Sequence, residues 1–185
     1  MAVMISLLRG INVGGHHLIK MDALRELYAS LGLRDPQTLV QSGNVVFRTE
    51  KQDLARLPGR IAGAIERSFG FRPDVIVRTC SELEDVVARN PFAARQGIDP
   101  RKLLVHFFAG DPGPNARDKV LGIKTDSEEL QIDGRELYIY FPDRMGRSKV
   151  WPAAVERAMR ISGTGRNWNS VTKLLEIARK MEASA

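Results

Sequence analysis

The chain predicts an α+β protein made of two modules that share one order of strands and helices. Over the first eighty residues, apolar runs and helical spacings alternate as βαββαβ, the ferredoxin-like pattern. The same scheme restarts near Leu103 with shorter helices. Between two later β-prone runs stands Asp133-Gly134, the strongest hairpin signal in the chain. The expected organisation is a first ferredoxin-like module over 1–80, a helical connector over 81–101, and a second, degenerate module over 102–185 that ends in a C-terminal helix. The whole is expected to form one compact unit.

Each element has a local reason. Met4 to Leu8 is short and apolar and runs into glycine turn chemistry, so it reads as a strand. Met21, Leu24, Leu27, Tyr28 and Leu31 fall at helical spacing, and Gly32 supplies a stop. Thr38 to Gln41 and Asn44 to Phe47 flank Ser42-Gly43, which suggests a tight hairpin. Leu54, Leu57, Ile61, Ile65 and Phe69 mark a second helix, with Pro58 admissible in its first turn. Val75 to Val77 reads as a fourth strand. Ser81 to Glu84 has the spacing of a capping box before a helix that Asn90-Pro91 ends. In the second copy, Leu103 to Phe108 is a strand and Asn115 to Leu121 a short helix. Glu129 to Ile132 and Glu136 to Phe141 pair about the Asp133-Gly134 turn. Trp151, Val155, Ala158 and Met159 share a helix face, and Ser170 to Met181 is the last helix, with Asn169 as its expected cap.

Composition narrows the function classes. Hydrophobic residues make up 43% of the 185 and charged ones 27%, a globular balance. No window approaches the roughly 18–20 apolar residues that span a bilayer, so no membrane partner is expected. The Ala2 to Leu8 run reads as a strand rather than a signal peptide, and Cys80 is the only cysteine. A cytoplasmic protein with a buried structural thiol is the expectation. Net charge is +6, concentrated from Asp143 to Ala185, where nine Lys/Arg meet four acids.

Chemistry concentrates at Arg9-Gly10-Ile11-Asn12-Val13-Gly14-Gly15. Three glycines beside an arginine and an asparagine suit a sharp turn or a close approach to a ligand better than they suit packing. In a βαββαβ module the first two strands are parallel, so this loop and the Gln41-Ser42-Gly43-Asn44 turn finish at one end of the sheet, next to the helix that starts near Lys20. The expected ligand-binding groups there are Arg9, Gly10, Asn12, Gly14, Gly15, Lys20, Gln41, Ser42 and Asn44, around a small anion that could bear phosphate. Arg166, Asn167 and Trp168 form a second polar and aromatic cluster, able to bind an anion and stack on a flat ring or simply to start the last helix.

Sharper activities are disfavoured. Gly10 and Gly15 have Walker-loop spacing, but His16-His17 replace the required Lys and Ser/Thr. His16, His17 and His106 are too few and badly spaced for zinc. No nucleophile triad is recognisable, and an RNA-recognition sheet is disfavoured because the first strand has no aromatic and the third only Phe47. The alternatives are nucleic-acid binding through the basic C-terminal region and an oligomerising protein with an exposed sheet edge. Neither a reaction nor a cofactor is assigned.

These stretches carry a resemblance. Leu7 to Gly15, Lys20-Met21, Gln41 to Phe47, Ser148-Lys149, Arg166 to Val171 and Lys173-Leu174 are together similar to a bacterial family known as a domain of unknown function, DUF-1697. Members often carry a lysine after the double glycine, where this chain has His16. The resemblance implies a single cytoplasmic α+β unit and no established reaction.

Overall fold

A computed structural model describes residues 1–50, 54–143, 148 and 151–184. Among these residues are two four-stranded antiparallel sheets and six α-helices. The chain divides into two units, Met1–Glu84 with Lys173–Ala185, and Asp85–Thr172. That division differs from a plain tandem split, because the end of the last helix groups with the first unit.

In the first unit, β1 (Ala2–Leu8), α1 (Met21–Ser30), β2 (Arg34–Leu39), β3 (Asn44–Thr49), α2 (Leu57–Phe69) and β4 (Val75–Thr79) form a sheet of order β2-β3-β1-β4. The helix α3 (Cys80–Ala88) follows β4 directly. Met4, Leu8, Val45 and Phe47 pack with Leu24 and Tyr28 of α1 and Ile61 and Ile65 of α2. A central polar contact sits in this apolar layer: the Ser6 hydroxyl and the Tyr28 phenol share a buried hydrogen bond of 2.7 Å. Burial pushes the Tyr28 phenol well above its ordinary range, so it stays protonated. Tyr28→Phe is expected to cost about 1 kcal/mol, the usual net worth of one hydrogen bond, because the Ser6 hydroxyl keeps Val45 O as an acceptor at 3.4 Å; urea unfolding would measure it. Arg48 on β3 donates to the carbonyl of Met181 and, at 3.0 Å, to Ser184 Oγ, which ties the end of the chain to this unit.

The second unit repeats the arrangement. β5 (Leu103–Phe108), α4 (Ala116–Leu121), β6 (Glu129–Asp133), β7 (Glu136–Tyr140), α5 (Ala153–Met159) and β8 (Gly163–Asn167) give a sheet of order β6-β7-β5-β8. Its helices are shorter than those of the first unit. Leu104, Phe108, Leu137 and Ile139 pack with Val120, Val155 and Met159. The registers about the first strand of each sheet correspond. Ile5 lies opposite Val46 and Arg78; Val105 lies opposite Tyr138 and Arg166. The last helix, α6 (Trp168–Ala183), begins where β8 ends.

Several expected boundaries move. β2 lies earlier than Thr38–Gln41, because Arg34-Asp35-Pro36 enters the sheet at an edge where pairing slips between Arg34 and Gln37. An edge strand tolerates a proline that a central one would not. The hairpin after β6 turns on Gly134-Arg135, with Asp133 still paired to Glu136. The capping box at α3 is Thr79 with Glu82, not Ser81 with Glu84. Glu82 N donates to Thr79 Oγ1 at 3.0 Å, and Thr79 N to Glu82 Oε2 at 2.8 Å. Gly163–Asn167 is a strand that periodicity does not reveal. The cap of α6 is Asn167, whose Oδ1 accepts from Asn169 N at 3.0 Å, rather than Asn169 itself.

Candidate functional site

The Arg9–Gly15 loop is built from left-handed residues. Gly10, Asn12, Gly14, Gly15 and His17 all have φ between 52° and 79°. Glycine adopts that conformation at little cost and asparagine tolerates it, which accounts for the composition. Asn12 N donates to His17 O at 3.1 Å, and His16 N to Val13 O at 3.0 Å, so Gly14-Gly15 forms the tip of a miniature hairpin. At its base the His17 ring stacks on Phe71, with centroids 4.2 Å apart and planes 14° from parallel, and its Nδ1 lies 3.1 Å from Gly10 O.

The loop and the turn after β2 meet. Leu8 N donates to Gly43 O at 2.8 Å. The Asn12 amide then links three segments: Nδ2 donates to Ile19 O at 3.0 Å and to Gln41 O at 2.8 Å, while Oδ1 accepts from Ile19 N at 2.8 Å. Thus one side chain holds the glycine loop, the approach to α1 and the Gln41–Asn44 turn at a common rim. Asn44 is buried and serves the turn from below, donating to Leu39 O at 3.1 Å and to Ser42 Oγ at 2.9 Å.

Other expected groups face outward. Gly10, Gly14, Gly15, Lys20, Gln41 and Ser42 are exposed, and Arg9 is partly so. Arg9 stands 3.8 Å from Asp74, an exposed ion pair of the kind worth about 0–1 kcal/mol. Lys20 is the N-cap of α1 and makes no side-chain capping bond. The composition did not single out the apolar part of this rim. Val13, Leu18 and Val40 are 63%, 68% and 57% exposed, and Val40 has φ +50, a strained conformation for a β-branched residue. Its only sequence signal is a valine at the mouth of a turn.

The Arg166–Trp168 cluster belongs to the second unit and is mostly inward. Arg166 is buried on β8 and donates to Thr164 Oγ1 at 2.7 Å and Gly165 O at 2.9 Å; burial pulls its guanidinium down to about 10. Asn167 donates to Arg101 O at 3.0 Å while capping α6, and Trp168 is half-buried. Three of the six described basic residues of the C-terminal region are paired with carboxylates. Lys173 and Lys180 both meet Glu176, and Arg179 meets Glu84 at 2.6 Å. Arg144, Arg147 and Lys149 lie outside the described residues. Among those described, no three His, Cys, Asp or Glu side chains group as a metal would require, and no helix is long and apolar enough to cross a membrane.

The family model of DUF1697, a protein of unknown function, matches residues 1–138, which include the whole rim. The chain belongs to this family. None of the curated proteins matches it in sequence. Among solved structures it is similar to that of the conserved bacterial protein SP0830 from Streptococcus pneumoniae, at 20% identity and a TM-score of 0.75 over 96% of this chain and 98% of that one. At that identity the likeness concerns the fold. The family member described above therefore shares its architecture, while the chemistry of its rim must be read from its own residues.

Proposed function

We propose that the protein binds a small anionic ligand, of a kind that can carry phosphate, at the rim formed by the Arg9–Gly15 loop, the start of α1 and the Gln41–Asn44 turn. The observation that carries this reading is the Asn12 amide, which gathers three outward-facing segments at one place. Arg9 and Lys20 supply positive charge, the Gly10, Gly14 and Gly15 backbone supplies close approach, and Gln41 and Ser42 orient. Asn12 and Asn44 act by positioning the rim. Val13, Leu18 and Val40 favour a ligand whose anionic group is attached to an apolar body. Arg166, Asn167 and Trp168 are better explained as parts of β8 and the α6 cap.

The same reading takes each unit as ferredoxin-like, supported by the matching sheet orders, and the setting as cytoplasmic, supported by a single, buried cysteine whose thiol burial pushes up to about 12. Amide shifts of the ¹⁵N-labelled chain, titrated with nucleotides and sugar phosphates, would test the site. Saturable shifts at Gly14, Gly15 and the Gln41 side chain are expected, weakened about tenfold or more in Arg9→Ala, as loss of a charged hydrogen bond implies. Silence at those amides across the panel, or equal affinity in the variant, would overturn the proposal.

A further inference from the structure

The two units share a register, so the rim of the first has a counterpart in the second. Phe108 N donates to Arg135 O at 2.9 Å as Leu8 N does to Gly43 O, and Ala109 N donates to Ser162 O as Arg9 N does to Asp74 O, both at 2.9 Å. In the second unit, too, the loop after the first strand and the hairpin turn therefore meet at one end of the sheet. A cleft of about 860 Å³ opens there, within the range of small-molecule sites.

We infer that this cleft is a second binding site, for a small molecule bearing a phosphate or carboxylate group. Neither Arg9 nor Asn12 has an equivalent on the corresponding loop, where Ala109-Gly110 stand. The positive charge comes from elsewhere, from Arg89 just after α3 and Arg117 on α4. Arg89 is held in place: Nε donates to Asp85 O at 3.3 Å, and one terminal nitrogen pairs with Asp133 at 3.3 Å. That same nitrogen would lie 3.7 Å from a Cβ on Gly134, so it sits over the bare backbone of the turn. Arg117 is exposed and makes no ion pair among the described residues.

Two carboxylates also line the cleft, yet each has an internal partner. Asp133 takes Arg89, and Asp111 Oδ1 accepts from Gly113 N at 2.8 Å. Arg117 is left as the cation open to an incoming anion, with the exposed Gln131 amide as an orienting group. Inorganic phosphate alone would leave most of the volume empty. Pro91, Pro114 and Ile132 offer apolar walls to the remainder of a larger molecule.

Titration of the ¹⁵N-labelled full chain with inorganic phosphate, glycerol 3-phosphate and citrate would test this and separate phosphate from carboxylate. Saturable shifts are expected at the Gly113 and Gly134 amides and the Gln131 side chain. Arg117→Ala should weaken them about tenfold or more, Arg117→Lys less, and Arg9→Ala not at all. Unmoved Gly113 and Gly134 amides with all three compounds, or an affinity unchanged in Arg117→Ala, would overturn the inference. Shifts confined to Gly14 and Gly15 would do so as well, while leaving the first site standing.

Discussion

Gly43→Ala is expected to destabilise the first unit by about 3 kcal/mol, combining a left-handed alanine with overpacking. Gly43 has φ +75, and an added Cβ would fall 2.8 Å from Ile11 Cγ1 and Cδ1 and from Leu8 Cβ. Leu8 is the end of β1 and Ile11 lies inside the glycine loop, so the strain would arise where loop and turn touch. Gly15→Ala is the control. Its φ is +79 but nothing lies within 4 Å of an added Cβ, so it should lose only the conformational part, about 1–2 kcal/mol. Urea unfolding followed by circular dichroism would compare the two. Equal losses would mean that the two segments are not packed as described, and the basis for a shared rim would go with them.

The second large effect lies in the other unit. Gly163→Ala would drive a methyl into His106 Nε2 and to 2.7 Å from Phe107 O. The His106 ring is fully buried, with Phe108 and Trp151 edge-on to it at 4.7 Å each, so it has little room to retreat. A loss of about 3 kcal/mol is expected. Shrinking the ring should relieve much of it: in Gly163→Ala with His106→Ser, the combined loss should be clearly smaller than the sum of the single losses. Strict additivity in that cycle would refute the packing account.

This pair also explains why β8 cannot be read from the sequence. At matched positions the first unit has Ser6 on β1 with Val75 and Val77 on β4. The second has His106 on β5 with Gly163 and Gly165 on β8. Bulk has moved from one strand to its neighbour. An added Cβ on Gly165 would come 2.6 Å from Trp151, so that glycine too makes room for an aromatic ring. The exchange leaves β8 with a glycine-rich composition that β propensity marks as loop. By contrast β1, β3, β5 and β7 are central strands with apolar runs, and their positions follow from those runs.

The convergence of the Arg9 loop with the Gln41–Asn44 turn was legible for a topological reason: a helix between two strands makes them parallel. Which atoms hold them together was not. Periodicity cannot say that Asn12 turns its amide inward to Ile19 and Gln41 while Gln41 and Ser42 stay exposed, because that depends on the left-handed backbone at Asn12. Nor can composition place Arg89 over a hairpin turn forty-odd positions later in the chain, a contact made by tertiary packing alone.

The grouping of Lys173–Ala185 with the first unit sets an order for synthesis. Residues emerge from the ribosome in sequence, and contiguous domains ordinarily complete themselves N-terminal first. Here the bonds from Arg48 to Met181 and Ser184 wait for the last helix, whereas every residue of the second unit has been translated by Thr172. The half that starts first is thus the half that finishes last.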